Sequence, residues 1–369
     1  MRLKRILGWT LLAIPLAALA ALFAGYWLSD NDCGTAAAAP GRTMKAIVYC
    51  DYGTADVLRL EDVAKPVPGD DELLVRVHAA GVNPLDWHNM RGTPYVMRLS
   101  SGLRKPKDTR VGVDYAGTVE AVGRNVTRFK PGDEVFGGRS GALARYVTAR
   151  EDRAVALKPA NVSFEQAGAV AIAATTALQG LRDAGRVQPG DKVLINGASG
   201  GVGTFAVQVA KSMGAEVTGV CSTRNVELVR SLGADHVIDY TRDDYSAGGQ
   251  RYDVILDNVG NRTLSENRRV LAPEGRYVLI GGGGPDDGHW IGPFVKPIQA
   301  VLMSPFVSQD MGMFLASLSN EDMNRLAELI SSGAVTPVID RRYRLEEAAE
   351  AIRYLEQGRA RGKVVVTME

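Results

Sequence analysis

The sequence predicts an α/β protein of two folded domains behind an apolar N-terminal segment. Three observations predict it. From Lys192 onward, short apolar strands alternate with helical stretches at the spacing of βαβ units, which implies a doubly wound parallel sheet. Before about Ser163 the chain is β-rich, punctuated by glycine and poor in helical periodicity. Residues 6–28 form an almost unbroken apolar run. The 369 residues suit two domains of the usual size with extra segments.

Composition narrows the function classes. Hydrophobic residues are 46% and charged residues 23%, the balance of a folded globular chain rather than a disordered one. A formal net charge of +1 gives no electrostatic footprint for nucleic acid or an acidic partner. His78, His88, His236 and His289 show no metal-ligand spacing. Cys33, Cys50 and Cys221 lie far apart with no CxxC, so neither a zinc ribbon nor a redox pair is encoded. The expectation is three separate thiols, because a chain of this length buries its own core without a disulfide framework.

The N-terminus differs in kind. Arg2, Lys4 and Arg5 precede Ile6–Leu28, with Trp9 near one end of the run and Tyr26 and Trp27 near the other. As a helix the run would be roughly 34 Å long, enough to cross a bilayer with aromatic residues at both interfaces. A cleaved signal peptide is the rival reading, with Ala18-Leu19-Ala20 as a small-residue cleavage site. The run continues past that site, so residues 1–29 are read as a single-pass transmembrane anchor and 30–43 as a linker. The charges before and after the run place the globular part outside. The cofactor argued below favours the cytoplasm, and the two indications stand opposed.

The folded body opens at Met44. Met44–Tyr49 and Glu72–His78 read as strands; in the second, Leu73, Val75 and Val77 share one face. Gly112–Val122 and Glu134–Gly137 continue the β-rich half, and Pro131-Gly132-Asp133 is a turn. In the second half, Lys192–Asn196, Glu216–Cys221, His236–Tyr240, Tyr252–Asp257 and Arg276–Gly281 read as strands. Val202–Met213 and Asn225–Leu232 are the helices between the first of them. Glu346–Gln357 is a closing helix and Lys363–Thr367 a last strand.

Between the first of those strands and its helix lies Asn196-Gly197-Ala198-Ser199-Gly200-Gly201-Val202-Gly203. A glycine-rich turn in that place lets backbone N–H groups approach a diphosphate at a helix N-terminus, the arrangement of a Rossmann dinucleotide site. The spacing departs from G-x-G-x-x-G, since Ala198 and Ser199 separate Gly197 from Gly200. The next strand ends in Cys221-Ser222-Thr223-Arg224-Asn225, with no carboxylate to hold a ribose 2′-hydroxyl. Hydroxyl donors and a guanidinium there suit a 2′-phosphate, so the expected cofactor is NADPH. An Arg224 merely solvated at the start of the next helix is the alternative.

At these residues the chain resembles a known family, the zinc-free medium-chain dehydrogenase/reductases of the quinone oxidoreductase type. The resemblance runs from about Met44 to Glu369. It rests on Gly81–Asp86 (GVNPLD), Gly112–Gly123 (GVDYAGTVEAVG), Phe129–Gly137 (FKPGDEVFG) and Ala174–Ala177. It rests also on the Ala198–Gly203 turn, Leu232–Asp235 (LGAD) and Gly362–Val365 (GKVV). The resemblance implies a GroES-like, partly open β-barrel from residues 44–165, completed by 314–369, and a Rossmann domain at 166–313. It implies that Ser199, Gly200, Gly201 and Val202 hold the diphosphate and that Ser222 and Arg224 take the 2′-phosphate. Tyr240 would pack near the adenosine, Asn258, Val259 and Gly281 would line the cofactor, and Thr176 would sit near the nicotinamide with Asn83 by its reactive face. Zinc-dependent relatives carry Cys in place of Asn83 and His-Glu in place of Val113-Asp114, so no metal site is expected.

Without a metal, the substrate must already be activated toward hydride. A quinone or α,β-unsaturated carbonyl meets that need, because the incoming charge spreads onto an oxygen. Asn83 and Asp86 are the candidate catalytic residues. Asn83 is read as a polar orienting group, against a plain turn residue before Pro84. Asp86 either holds ribose hydroxyls or steadies its loop. Trp87, Tyr95 and Met97 are either an apolar wall or core. Residues 285–305, with Trp290, Phe294 and Pro297, are either a flap facing the cleft or membrane, or a surface or dimer loop. The expected partners are therefore a small quinone or enone, the bilayer and a second copy in a homodimer. A membrane-tethered NADPH-binding sensor or assembly protein with little catalysis is the competing function.

Overall fold

A computed structural model describes residues 23–31, 33, 43–281, 290, 292–303 and 306–368. Two large sheets organise the chain. The first half supplies β1 (Thr43–Val48) and β2 (Arg59–Ala64), an antiparallel pair, and then β3 (Glu72–Val82). Helix α1 (Pro84–Arg91) follows, then β4 (Asp114–Val122), β5 (Glu134–Gly138), β6 (Tyr146–Arg150) and β7 (Val155–Leu157). Leu73, Val75 and Val77 of β3 are buried against Tyr115, Val119, Val135 and Val147, the core of this half. Helix α1 was not anticipated. Its eight residues carry Asp, His and Asn, too polar and too short for a periodic apolar stripe.

The chain then enters α2 (Ala171–Gln179) and the second sheet. Strands β8 (Lys192–Asn196), β9 (Glu216–Cys221), β10 (His236–Asp239), β11 (Tyr252–Asp257), β12 (Leu271–Leu279) and β13 (Asp310–Met313) are all parallel, in the order β10-β9-β8-β11-β12-β13. Helices α3 (Gly201–Ser212), α4 (Val226–Ser231), α5 (Leu264–Val270) and α6 (Val295–Met303) lie between its strands. Strand order reverses between β8 and β11, so a crevice opens at the carboxyl ends of these two strands. Val193, Ile195, Val217, Val254 and Leu256 pack on Phe205, Val207 and Val209 of α3. The near-continuous apolar strands are what a sheet covered on both faces requires.

After α7 (Asn320–Ser331) the chain returns to the first sheet. Strand β14 (Ile339–Arg344), helix α8 (Ala348–Glu356) and β15 (Lys363–Thr367) complete it in the order β14-β15-β3-β4-β5-β7, with β6 also on β3. Val364 pairs with Val82 and Thr367 with Ala79, so the last strand lies beside the one that leads into α1.

Two expectations need correction. Cys33 and Cys50 are not separate thiols but a disulfide with Cα atoms 5.4 Å apart; only Cys221 is free, and it is buried. Residues on either side bring the two together. Asn31 donates to the carbonyls of Cys50 and Pro106, Asp30 pairs with Lys105 at 3.2 Å, and a methyl on Gly25 would touch Leu103. Long sequence separation hid this docking. The 285–305 stretch is not simply a loop either, since α6 occupies Val295–Met303.

The proposed membrane span falls mostly on residues 1–22, outside the described residues; 23–28 are helical. Among the described residues no helix is long and apolar enough to cross a membrane.

Candidate active site

The glycine-rich turn leaves β8 at Asn196. Gly197 has φ +77°, a left-handed conformation that glycine adopts without steric cost. A Cβ on Gly203 would sit 2.1 Å from the Gly197 carbonyl oxygen, so close packing of turn on helix demands glycine there too. Helix α3 begins at Gly201 with Gly200 as its N-cap, and no side chain caps it. The N–H groups of its first turn are therefore left for an anion, with the helix dipole behind them.

One end of this turn is tied to the next strand. Asn225 donates to Ser199 Oγ at 2.9 Å and to Ser222 Oγ at 3.3 Å, holding both hydroxyls at the ends of β8 and β9. Asn225 is buried and was not singled out from the sequence. Arg224 is exposed and spends one Nη2 bond on the Arg359 carbonyl. Thr223 is drawn away from any ligand role, because its hydroxyl binds Asp239 at 2.5 Å and Thr241 at 2.9 Å. Tyr240 is 57% exposed at the end of β10, available to a planar ring.

The other end is built on Asp257, fully buried at the tip of β11. It accepts from Asn196 Nδ2, Tyr277 Oη and the Val259 and Gly260 N–H groups, all within 3.0 Å. That network fixes the loop after β11. Asn258 gives its Nδ2 to the Asn196 carbonyl and keeps a buried Oδ1 without a partner. Val259 is 40% exposed, and a Cβ on Gly281 would lie 3.3 Å from the Asn258 carbonyl. Thr176 is nearly buried on α2 and donates to the Ile172 carbonyl.

Facing these ends is a buried polar cluster. Asn83, the N-cap of α1, is 2% exposed. Its backbone N–H donates to Asp86 Oδ2 at 2.7 Å, and its side-chain Oδ1 accepts from Lys363 Nζ at 2.5 Å. Its Nδ2 is buried with no partner. Lys363 also reaches Asp114 Oδ2 at 3.2 Å and the Val82 carbonyl at 3.3 Å. Asp114 is anchored in turn by the Ile172 N–H at 2.9 Å. Burial pushes the Asp86 carboxyl up to about 7, opposed by the Asn83 N–H and reinforced by the charge of Asp114.

The cluster and the turn meet. The stem of Lys363 passes 3.3 Å from where a Gly201 Cβ would be, and the Gly362 N–H donates to the Ser199 carbonyl at 2.9 Å. Lys363 and Asp114 were not among the expected site residues. The GKVV motif drew attention to Lys363, but only the pairing of β15 with β3 shows where its ammonium goes. Asp86 lies against its own loop, which supports the loop-steadying reading over the ribose one. Trp87 is 5% exposed and belongs to the core, stacked on His88 at 3.7 Å. Tyr95 instead meets Trp290 edge-on at 5.5 Å.

The arrangement can hold a dinucleotide. The uncapped first turn of α3, the room beside Gly200, where a Cβ would meet only the Gly197 oxygen at 3.5 Å, and the orphaned Asn258 Oδ1 fit its diphosphate and amide ends. Comparison with known proteins agrees. Residues 69–160 match the alcohol dehydrogenase GroES-like domain, and 232–366 match the family described as zinc-binding dehydrogenase. The 2-methylene-furan-3-one reductase of Solanum lycopersicum is 35% identical over 338 residues, 88% of this chain and 79% of that one. The quinone oxidoreductase of Sus scrofa is 33% identical, covering 89% of this chain and 98% of its own. The solved quinone oxidoreductase of Coxiella burnetii superposes with a TM-score of 0.76 at 29% identity, over 89% of this chain and all of the other. The β-rich half and the parallel-sheet half are thus the GroES-like and Rossmann-like parts of one fold, and the chain belongs to the zinc-free medium-chain dehydrogenase/reductase family, in its quinone oxidoreductase-like branch.

Proposed function

We propose that this protein is an NADPH-dependent, zinc-independent oxidoreductase that reduces quinones or α,β-unsaturated carbonyls. The observation that carries this is the convergence of an uncapped glycine-rich helix start with a buried, unpartnered amide donor on Asn83. A relative named NADPH-dependent alkenal/one oxidoreductase, from Arabidopsis thaliana, is 34% identical over 347 residues and supports the same cofactor and substrate class.

When bound, NADPH supplies the hydride. The residues do the rest. The N–H groups of Ser199, Gly201 and Val202 bind the diphosphate, and Gly200, whose own N–H goes to the Gly197 carbonyl, leaves the room for it. Ser222 and Arg224 bind the 2′-phosphate, and Tyr240 covers the adenosine. Thr176, Asn258, Val259 and Gly281 line the nicotinamide half. Asn83 offers an N–H to the carbonyl oxygen of the acceptor, where charge develops, and Asp86 fixes the loop that carries it. The fold is divided as 44–165 with 314–369 for the acceptor side and 166–313 for the cofactor.

The test is oxidation of NADPH by the full-length protein with a panel of quinones and enals, with NADH as control. Turnover with NADPH at least tenfold faster than with NADH is expected. Calorimetry that detects no nicotinamide nucleotide binding to folded protein would sink the reading; binding without turnover would favour the sensor reading.

We propose further that the apolar N-terminus anchors the enzyme to a bilayer. Phe23, Trp27 and Leu28 are each more than half exposed at the point where the chain reaches the body. The Asp30–Lys105 pair and the Cys33–Cys50 disulfide pin that point. A disulfide suits an oxidising compartment, the side that the charge rule also favours, while NADPH supply favours the cytoplasm. Protease protection of the body in intact cells decides between them.

A further inference from the structure

We infer that Lys363 is a positioning residue: it clamps the Asn83 side chain so that the amide presents its NH2, and only its NH2, to the oxygen of the bound acceptor. The inference rests on the reading of the site as a carbonyl or quinone reductase site.

An ammonium group has three donors and no acceptor. Lys363 Nζ has three oxygens around it: Asn83 Oδ1, Asp114 Oδ2 and the Val82 carbonyl. All three donors are used. Lys363 therefore has nothing left for a substrate, although it lies beside the diphosphate turn at Gly201. Its influence passes through its neighbours. The two ends of an Asn amide look alike in shape but not in chemistry, and a free Asn flips between them. Beside an ammonium only the oxygen end is tolerated. Asn83 Nδ2 must then point the other way, where it is buried and has no partner within the protein.

A buried N–H2 without a partner is costly, and folded proteins rarely leave one unless a ligand or an ordered water completes it. A carbonyl oxygen taking on charge is such a ligand. The ammonium adds a second effect. By drawing electrons toward Oδ1 it makes Nδ2 a stronger donor, and this matters most as the oxygen becomes negative. The rest of the cluster keeps the clamp rigid. Asp114 is held by the Ile172 N–H and balances the buried charge; Asp86 holds the Asn83 backbone. Each partner comes from a different element: β15, β4, and the turn between β3 and α1.

The test is a double-mutant cycle on the full-length protein, with Asn83→Ala and Lys363→Met. Removing Lys363 alone leaves Asp114 buried and unpaired, so the charge-balanced pair Lys363→Met/Asp114→Asn is made as well, to keep the fold. Three quantities are read: turnover of a short-chain quinone, NADPH affinity without acceptor, and the affinity of the enzyme–NADP⁺ complex for a substituted phenolate, which needs no turnover. In the balanced pair, turnover should fall at least tenfold. Phenolate binding should weaken by a similar factor, with NADPH affinity within about threefold of wild type. On the Asn83→Ala background the balanced pair should cost less than a further twofold, because both act through one amide.

Wild-type phenolate affinity in the balanced pair would overturn the inference. So would losses that multiply with that of Asn83→Ala, or a main effect on NADPH binding. A wild-type protein that turns over no quinone or enal, yet shows the coupled loss of phenolate binding, would refute the proposed activity while leaving the clamp standing.

Discussion

Asp86 gives the sharpest residue-level prediction. Burial raises its carboxyl from the ordinary 3.8 to about 7, so the folded protein resists ionising it. Below pH 3.8 both folded and unfolded states hold the proton and the group costs nothing. Between there and about 7 the unfolded chain releases it first, and stability drains away as pH rises. Asp86→Asn should therefore gain on wild type between pH 4 and pH 8, by on the order of 1–3 kcal/mol in urea unfolding. Arg224 gives a second prediction: in steady-state kinetics, Arg224→Ala should weaken the KM for NADPH roughly tenfold or more and leave that for NADH within about twofold. The glycine-rich turn and Asn83 could be read from the sequence because their chemistry is local. Lys363, Asp114 and Asn225 could not. Each is an ordinary polar residue until the fold sets it against a partner, and Lys363 meets Asn83 across 280 positions of chain.

At the level of elements, legibility followed length and periodicity. Helix α3 and strands β8, β9 and β11 stand out because each is apolar on the faces it buries. Helix α1 escaped notice, since its fold depends on the N-cap at Asn83 and the Pro84 that follows rather than on an apolar stripe. Strand β14, rich in arginine, half exposed and with no fully buried residue, carries almost no strand signature of its own; pairing with β15 defines it. The Cys33–Cys50 link closes a separation of 17 residues, a loop for which chain-entropy arguments give about 3 kcal/mol. Cys33→Ser should leave turnover of a short-chain quinone within about twofold. It should also expose the segment near residue 31 to limited proteolysis that the wild type resists until reductant is added.

For the molecule as a whole, β13 is one of the two terminal strands of the parallel sheet among the described residues, with α6 beside it. Ile298 and Leu302 on α6 and Phe306 after it are half or more exposed. A terminal strand flanked by exposed apolar side chains suits a partner, and a second copy meeting edge to edge supplies one by symmetry. We expect wild-type protein in detergent to sediment as a dimer, and Leu302→Glu with Phe306→Glu to sediment as a monomer. A monomeric wild type would refute this.

The final strand has a consequence for how the protein is made. Strand β15 follows every other element in the chain, yet it lies between β14 and β3 and delivers Lys363 to the heart of the cleft. Domains emerge and fold in the order of synthesis, so the cofactor half can close while the chain is still growing. The acceptor half cannot. A nascent chain stalled before residue 363 would lack the ammonium that binds the Asn83 side chain, so that half of the cleft stays unfinished until the stretch has cleared the ribosome.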